Sequence, residues 1–369
     1  MITVEKEFPF EERYPLKRLG NPEELLFFDI ETTGFSGERH RVYLVGCVFL
    51  KQGKWNLIQW FADSPEAESE VLKAFFELTK TFGSVVHFNG DGFDIPFLLK
   101  RCQAHGLSYD FSSVESLDVY REIRPLKKML GLDSLRQKSL EHFLGIFRED
   151  PYSGGQLVEV YEDYLMTGDS RLYDMLMLHN REDLEGMPLI LPVLYYRDLL
   201  RGPFLLKDER ILEQTRILGE TFPLLRLTLE IPDSLPARIS WETDLASCQA
   251  WENRLELTTE LCRGTMKHFY SNYRDYYYLV YEDRIVHKSL GQFVDREARR
   301  KAAARDCFAK KDGLFLPQPE GLWSPEFKKD HRDRQTYGEY APGLFSKPEV
   351  LAAYVSYILG PSRPSAGSP

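Results

Sequence analysis

The chain has 369 residues, of which 43% are hydrophobic and 13% aromatic, and its formal charge is −10. That length suits two domains with sizeable cores, and an acidic balance argues against indiscriminate binding to duplex nucleic acid, which relies on basic surface. The longest apolar run, residues 187–196, is broken by Pro188 and Pro192 and is too short to span a bilayer. The charge is uneven: residues 1–195 hold 21 Lys+Arg against 32 Asp+Glu, or −11, and residues 196–369 hold 26 against 25, or +1. Cys47, Cys102, Cys248, Cys262 and Cys307 form no CxxC pair and read as buried thiols of a reducing compartment. The first residues, MITVEKEFPFEERYP, lack the apolar middle of a signal peptide. A soluble cytoplasmic protein with no membrane association is expected.

The first elements are strands. LLFFDI (25–30) and VYLVGCVFL (42–50) are apolar enough to be buried, and KWNLIQWFA (54–62) pairs with the latter through the Gln52–Gly53 turn. SPEAESEVLKAFFELTKTFG has a Ser-Pro start, early acids, 3–4 apolar spacing and a closing glycine, which predict a helix. SVVHFNG (84–90) is a further strand, then a turn leads into a helix near Ile95–Pro96, and further helices follow near 135–144 and 171–195. Adjacent strands followed by alternating strands and helices predict an α/β fold, a mixed β-sheet flanked by helices. After about residue 200 the texture changes to strands interrupted by prolines, such as PLLRLTLEIP and RLELTTEL, then a basic helix at REARRKAAARDCFAKK. The expected divisions are an N-terminal extension (1–21), an α/β domain (22–200), a smaller α+β accessory region (201–358) and a disordered tail (359–369).

The chemistry concentrates in carboxylates. Side chains alternate along a strand, so Asp29 and Glu31 point to one face while Ile30 packs behind them. Two like charges at the end of a buried strand repel and lose hydration, and a divalent cation with its oxygen ligands resolves that conflict. The alternative is that either acid merely caps the TTGF loop. Asp94 lies in the turn after the next strand, where open α/β sheets place ligands, although an acid before a proline is also a good helix cap and Asp91 competes for the role. His179 and Asp183, i and i+4 in LHNREDLEGM, share one helix face. A neutral histidine beside an acid suits a general base, though an ordinary surface pair has the same spacing. Glu182 and Glu185 read as solvated charges off that face.

Together, four acids with a base one helical turn before the last are the set that two-metal phosphoryl transfer needs. FFDIETTGF, HFNGDGFDIPFL and HNREDLEGM resemble the three successive motifs of the DEDD superfamily of 3′–5′ exonucleases on the RNase H-like fold, and are most similar to the bacterial YprB-like ribonuclease-H-like proteins. The resemblance covers residues 22–200. It implies that Asp29, Glu31, Asp94 and Asp183 ligate two divalent metal ions, Mg²⁺ or Mn²⁺. It also implies that Thr32, Thr33 and Gly34 approach the terminal nucleotide, that Phe35 packs on its base or sugar, and that Asn89 is the second motif's asparagine. The chain departs from the pattern at one point. The family's two branches carry a tyrosine four residues before the last aspartate or a histidine five before it, whereas here His179 is four before and Leu178 five before. His179 is either the base or the residue that orients the water.

Two later features bear on nucleic acid. Residues 268–281 carry seven aromatics, which suit base stacking or, as the favoured reading, a strand pair packed on a core. Arg299, Arg300 and Lys301 lie in a stretch with seven basic and two acidic residues, and are candidate phosphate contacts. The expected function is therefore a metal-dependent 3′–5′ exonuclease acting on single-stranded ends, with DNA favoured over RNA through the resemblance and a role in DNA repair or processing. A helicase supplying single strands would fit as a partner. The alternatives are an exoribonuclease with the same site, an idle nucleic-acid-binding protein, and an RNase H-type endonuclease, which DIETTG disfavours.

Overall fold

The computed structural model describes residues 1–8, 10–152, 154–217 and 219–360, in two compact units, Met1–Arg197 and Asp198–Pro369. The tail expected to be disordered lies, from residue 361 on, outside the described residues. No described helix is long and apolar enough to cross a membrane.

The first unit is built on a six-stranded mixed sheet. Its strands are β1 (Ile2–Phe8), β2 (Leu25–Thr32), β3 (Val42–Lys51), β4 (Lys54–Phe61), β5 (Ser84–His87) and β6 (Glu115–Asp118), in the order β1-β4-β3-β2-β5-β6. β1, β4, β3 and β2 pair antiparallel in turn, and β2–β5 and β5–β6 pair parallel. The helices are α1 (Glu68–Thr79), α2 (Asp94–Ala104), α3 (Val119–Ile123), α4 (Lys127–Leu130), α5 (Gln137–Phe143), α6 (Gly154–Thr167), α7 (Ser170–Leu189) and α8 (Leu194–Arg201).

β2 is apolar at both faces because it is central. Leu26, Phe28 and Ile30 join a core with Val71, Leu72 and Phe75 of α1 and Phe97 and Leu98 of α2, all buried. The other side of the sheet gives Tyr43, Leu44 and Phe61 to a second core with Leu157 and Tyr161 of α6 and Leu176 of α7. α7 comes very close to β3. A Cβ at Gly46, which pairs with Asp29, would overlap Asn180 Oδ1 and Leu184 Cδ1 of that helix. Gly46→Ala should therefore push α7 away and cost about 1–3 kcal/mol, the usual penalty of overpacking. Chemical denaturation checks this, and a change inside ±0.5 kcal/mol would mean the helix shifts freely.

Residues 1–21, expected as an extension, supply the sheet's edge strand β1. Its alternation of half-buried and exposed positions is that of a strand with one covered face. α6 was not expected from the sequence; it buries only Leu157 and Tyr161.

The second unit holds β7 (Leu205–Thr215), β8 (Thr221–Glu242) and β9 (Ala246–Glu260) in one antiparallel sheet. A second sheet has the order β10-β14-β15 and a third the order β12-β11-β13. Their strands are β10 (Cys262–Phe269), β11 (Tyr276–Leu279), β12 (Arg284–His287), β13 (Arg299–Lys301), β14 (Phe308–Gln318) and β15 (Thr336–Glu339). A short helix α9 (Lys288–Gly291) and the apolar helix α10 (Pro348–Leu359) complete it. The basic helix expected at 296–311 is absent. Arg299–Lys301 form β13 against β11, and Phe308 opens β14. Tertiary pairing overrides the helix propensity of the alanines, since Arg299 lies over the Tyr277 ring and Arg300 over Tyr278. The aromatics expected to fill a core are half-buried at Tyr276, Tyr277 and Tyr278, and Tyr281 is 81% exposed.

Candidate active site

The first carboxylates come from β2, where Asp29 is half-buried and Glu31 buried, one on each side of Ile30. A register shift between Glu31 and Thr32 ends the regular pairing with β3 there. Asp94 opens α2, where it is buried and its carboxylate accepts from its own backbone N–H and that of Ile30. It thus ties the helix start to the end of β2. Asp91, its competitor, is engaged elsewhere: Ser116 donates to it at 2.5 Å and Arg121 lies 3.4 Å away. His179 and Asp183 project from α7 across the sheet. Nε2 of His179 is 3.4 Å from Glu31 Oε1 and 3.4 Å from Asp183 Oδ2. Donor atoms of Glu31, His179 and Asp183 all lie within 4.8 Å of one another.

The electrostatics are adverse. Burial pushes the Asp29 and Glu31 carboxyls well above their ordinary values, and repulsion from Asp183 and Asp94 adds to it. Asp94 is pushed up to about 7, chiefly by burial, against the pull of its backbone hydrogen bonds. Such an arrangement fits divalent cations. Hard oxygen donors converge where nothing neutralises them fully, and a bound cation removes the repulsion that burial amplifies. Metal affinity should accordingly rise with pH as these carboxyls lose their protons.

Several partners of the site carry no signal in the sequence. Asn180, fully buried, donates to Asp29 Oδ2 at 3.0 Å while its own Oδ1 accepts from Gln59 Nε2 at 2.9 Å. Asp150 receives His179 Nδ1 at 2.5 Å and Lys138 Nζ at 3.0 Å. Burial works against its charge, but these hydrogen bonds outweigh it and hold the carboxyl below its usual range. An ionised carboxylate only accepts, so Nδ1 carries a proton and Nε2 is the ring nitrogen turned toward Glu31 and Asp183. Glu182, expected as a solvated charge, accepts from the backbone N–H groups of Glu149 (3.0 Å) and Asp150 (2.9 Å), so it fixes the loop that brings Asp150 in. Glu185, read the same way, is half-buried and paired with Lys6 at 2.7 Å.

Arg148 is the second surprise. Its guanidinium, 8% exposed, forms a two-pronged ion pair with buried Glu141 and also reaches Asp183 Oδ1. Burial opposes its charge, but the two carboxylates outweigh that and raise its pKa. Asp183 is held between this arginine on one oxygen and His179 on the other.

The expected substrate contacts divide. Thr32 Oγ1 donates to Gly34 O at 2.8 Å, and Thr33 Oγ1 accepts from Arg41 N–H at 3.0 Å, so both hydroxyls shape the loop. A side chain on Gly34 would strike the His40 ring, whereas Phe35 is 88% exposed and its ring stands edge to face with Phe93 at 6.3 Å. Asn89 adopts a left-handed backbone, φ 64°, and Asp118 accepts its N–H at 2.9 Å. Asp118 also caps α3 by accepting from Arg121 N–H at 3.3 Å. Asp133 is exposed. Cys102 is buried, and His105 pairs with Glu68 at 2.8 Å, so both are structural. Arg299, Arg300 and Lys301 belong to the second unit, where Arg299 reaches the Gly291 carbonyl and Arg300 pairs with Asp306.

Residues 26–195 match the family model RNase_H_2 of the RNase_H superfamily. A DNA polymerase of Thermococcus hydrothermalis is 28% identical over 120 residues, 28% of this chain and 7% of that one. Among solved structures, the family B DNA polymerase of the hyperthermophilic archaeon Pyrobaculum calidifontis aligns at 17% identity with a TM-score of 0.40, over 47% of this chain and 25% of that one. A product-bound exonuclease I aligns at 13% identity and a TM-score of 0.27, over 56% of this chain and 58% of that one. Exonuclease I of Methylocaldum szegediense aligns at 12% identity and a TM-score of 0.26, over 56% and 54%. The chain thus spans 7% of the polymerase sequence and less than two thirds of each of these structures. From its mixed sheet with flanking helices and from the family match, residues 26–195 form an RNase H-like domain.

Proposed function

We propose that this protein is a metal-dependent 3′–5′ exonuclease of the DEDD type, akin to the YprB-like proteins, acting on single-stranded ends. The observation that carries the reading is the convergence of Glu31, His179 and Asp183 donor atoms within 4.8 Å, beside Asp29 and Asp94. Asp29, Glu31, Asp94 and Asp183 would hold two divalent cations, Mg²⁺ or Mn²⁺. When bound, these supply charge against the phosphodiester and lower the pKa of the attacking water.

The chain's own residues do the rest. Nε2 of His179, turned toward the site by the Nδ1–Asp150 hydrogen bond, accepts the proton of a water lying between Glu31 and Asp183. Arg148 fixes the carboxylate plane of Asp183. Exposed Phe35 stacks on the terminal base or sugar, the backbone of Thr32, Thr33 and Gly34 lines its path, and Asn89 contacts the same strand. Arg299, Arg300 and exposed Lys301 in the second unit contact phosphates, which makes that unit a substrate guide. DNA is the preferred polymer, and the cellular setting is cytoplasmic DNA repair or processing, where a helicase would supply the strands.

His179→Ala should lower kcat about 10²–10⁴-fold, the range of a lost general base, with substrate binding little changed. Asp150→Asn should retain part of the rate. Steady-state kinetics separates kcat from KM, and a wild-type rate for His179→Ala would place the base elsewhere. The function itself is tested with linear and circular single strands of DNA and of RNA. Linear DNA should be consumed and circular DNA left intact. Cutting of the circle would make the protein an endonuclease, and consumption of RNA alone would make it an exoribonuclease.

A further inference from the structure

Beside the catalytic residues lies an open cavity of about 530 Å³, with the aromatic rings of Phe88 and Tyr120, the Asn89 turn, Lys127, Arg136 and Asp133 on its walls. The rings meet edge to face, their centroids 5.7 Å apart. Lys127 and Arg136 have no carboxylate partner among the described residues. The cavity is joined to the catalytic helix through Gln137, also on its wall, whose amide donates to the Asp183 carbonyl at 2.7 Å and to Glu141 at 3.1 Å. Its opposite edge is fixed by Asp118, which accepts from both the Asn89 and Arg121 N–H groups.

The surrounding sequence carries the matching charge. Residues 121–138 hold Arg121, Arg124, Lys127, Lys128, Arg136 and Lys138 against Glu122 and Asp133, a net of +4 within residues 1–195 that total −11. Two free cations and two aromatic rings in one cavity, next to an acidic centre, are the combination that binds a nucleotide of a single strand. The rings take the base, and the cations take the phosphate that the acidic centre would repel.

We propose that this cavity seats the nucleotide next to the one being removed, with its base against Phe88 and Tyr120 and its phosphate on Lys127 and Arg136. The proposal rests on the exonuclease reading, since it names where that strand continues. It would give the enzyme a grip on the strand between cuts that does not depend on bound cations.

The test uses the full chain and a 5′-labelled dT decamer in EDTA, so that binding is read without turnover. Fluorescence anisotropy over a salt series should show the double variant K127E/R136E binding at least about tenfold more weakly, with a log–log salt slope shallower by about 1.4, the value for two lost contacts to a single strand. A decamer with 4-thiothymidine at its next-to-last position should photo-crosslink to Phe88 or Tyr120. An unchanged slope, or a crosslink mapping elsewhere, overturns the proposal even if the protein digests DNA. The expected slope and crosslink on a protein that cleaves no strand would uphold the cavity and sink the exonuclease reading instead.

Discussion

Asp29→Asn should abolish cleavage and, in EDTA, raise the melting temperature by a few degrees. Burial, and then the charges of Asp183, Glu31 and Asp94, raise the Asp29 carboxyl well above its ordinary value, so its ionised form is costly in the folded protein. Asparagine removes that cost and leaves an acceptor for Asn180 Nδ2, which now meets a neutral group. The gain follows from the scale on which 1 kcal/mol shifts a domain of this size by about 2–4 °C. The same physics sets a pH dependence. A carboxyl whose folded-state pKa is raised binds protons more tightly when folded, so its stabilising contribution is complete below the ordinary value and is lost as pH rises through the raised one. For Asp94 that window runs from its ordinary 3.8 to about 7. EDTA-treated wild-type protein should therefore melt at lower temperature at pH 8 than at pH 5, and Mn²⁺ should offset that loss at pH 8. A metal-free stability that climbs steadily from pH 5 to pH 8 would mean the acids are not in each other's field.

Arg148→Ala should be among the most damaging single changes in the first unit. It leaves Glu141 buried with only Gln137 and frees Asp183 from one of its two restraints. Removing one partner of a buried ion pair costs about 3–5 kcal/mol, because the other charge remains. At about 2–4 °C per kcal/mol the expected fall in melting temperature is on the order of 10 °C. The double variant R148A/E141A should recover much of that loss, since both charges leave together. Equal losses in the single and the double variant would show that Arg148 acts through packing alone. Turnover should fall in both, because His179 alone then restrains Asp183.

The readable parts of the chain were those whose signal is local. The apolar runs of β2, β3 and β5 and the amphipathic α1 follow from neighbours in sequence, and the acids of the site announce themselves through the DIETTG and HNRED motifs. β1 also had a signal, its alternation, but the charged residues that mark an edge strand make it read as a tail. Asp150 and Arg148 could not be read in this way. They lie in a loop 29 and 35 residues before the groups they touch, in FREDPY, and only the placement of α7 brings them in. The misreading of 296–311 has the opposite cause: local propensity was strong, and the pairing of Arg299–Lys301 with Tyr277–Leu279 overruled it.

Digestion of a 5′-labelled single-stranded DNA oligomer with Mn²⁺, run beside EDTA and Asp183→Asn controls, tests the catalytic reading of the carboxylates most directly. A ladder that shortens one nucleotide at a time from the 3′ end, and that vanishes in both controls, is the expected result. An intact oligomer with folded wild-type protein and saturating Mn²⁺, or a ladder that persists in Asp183→Asn, would contradict it.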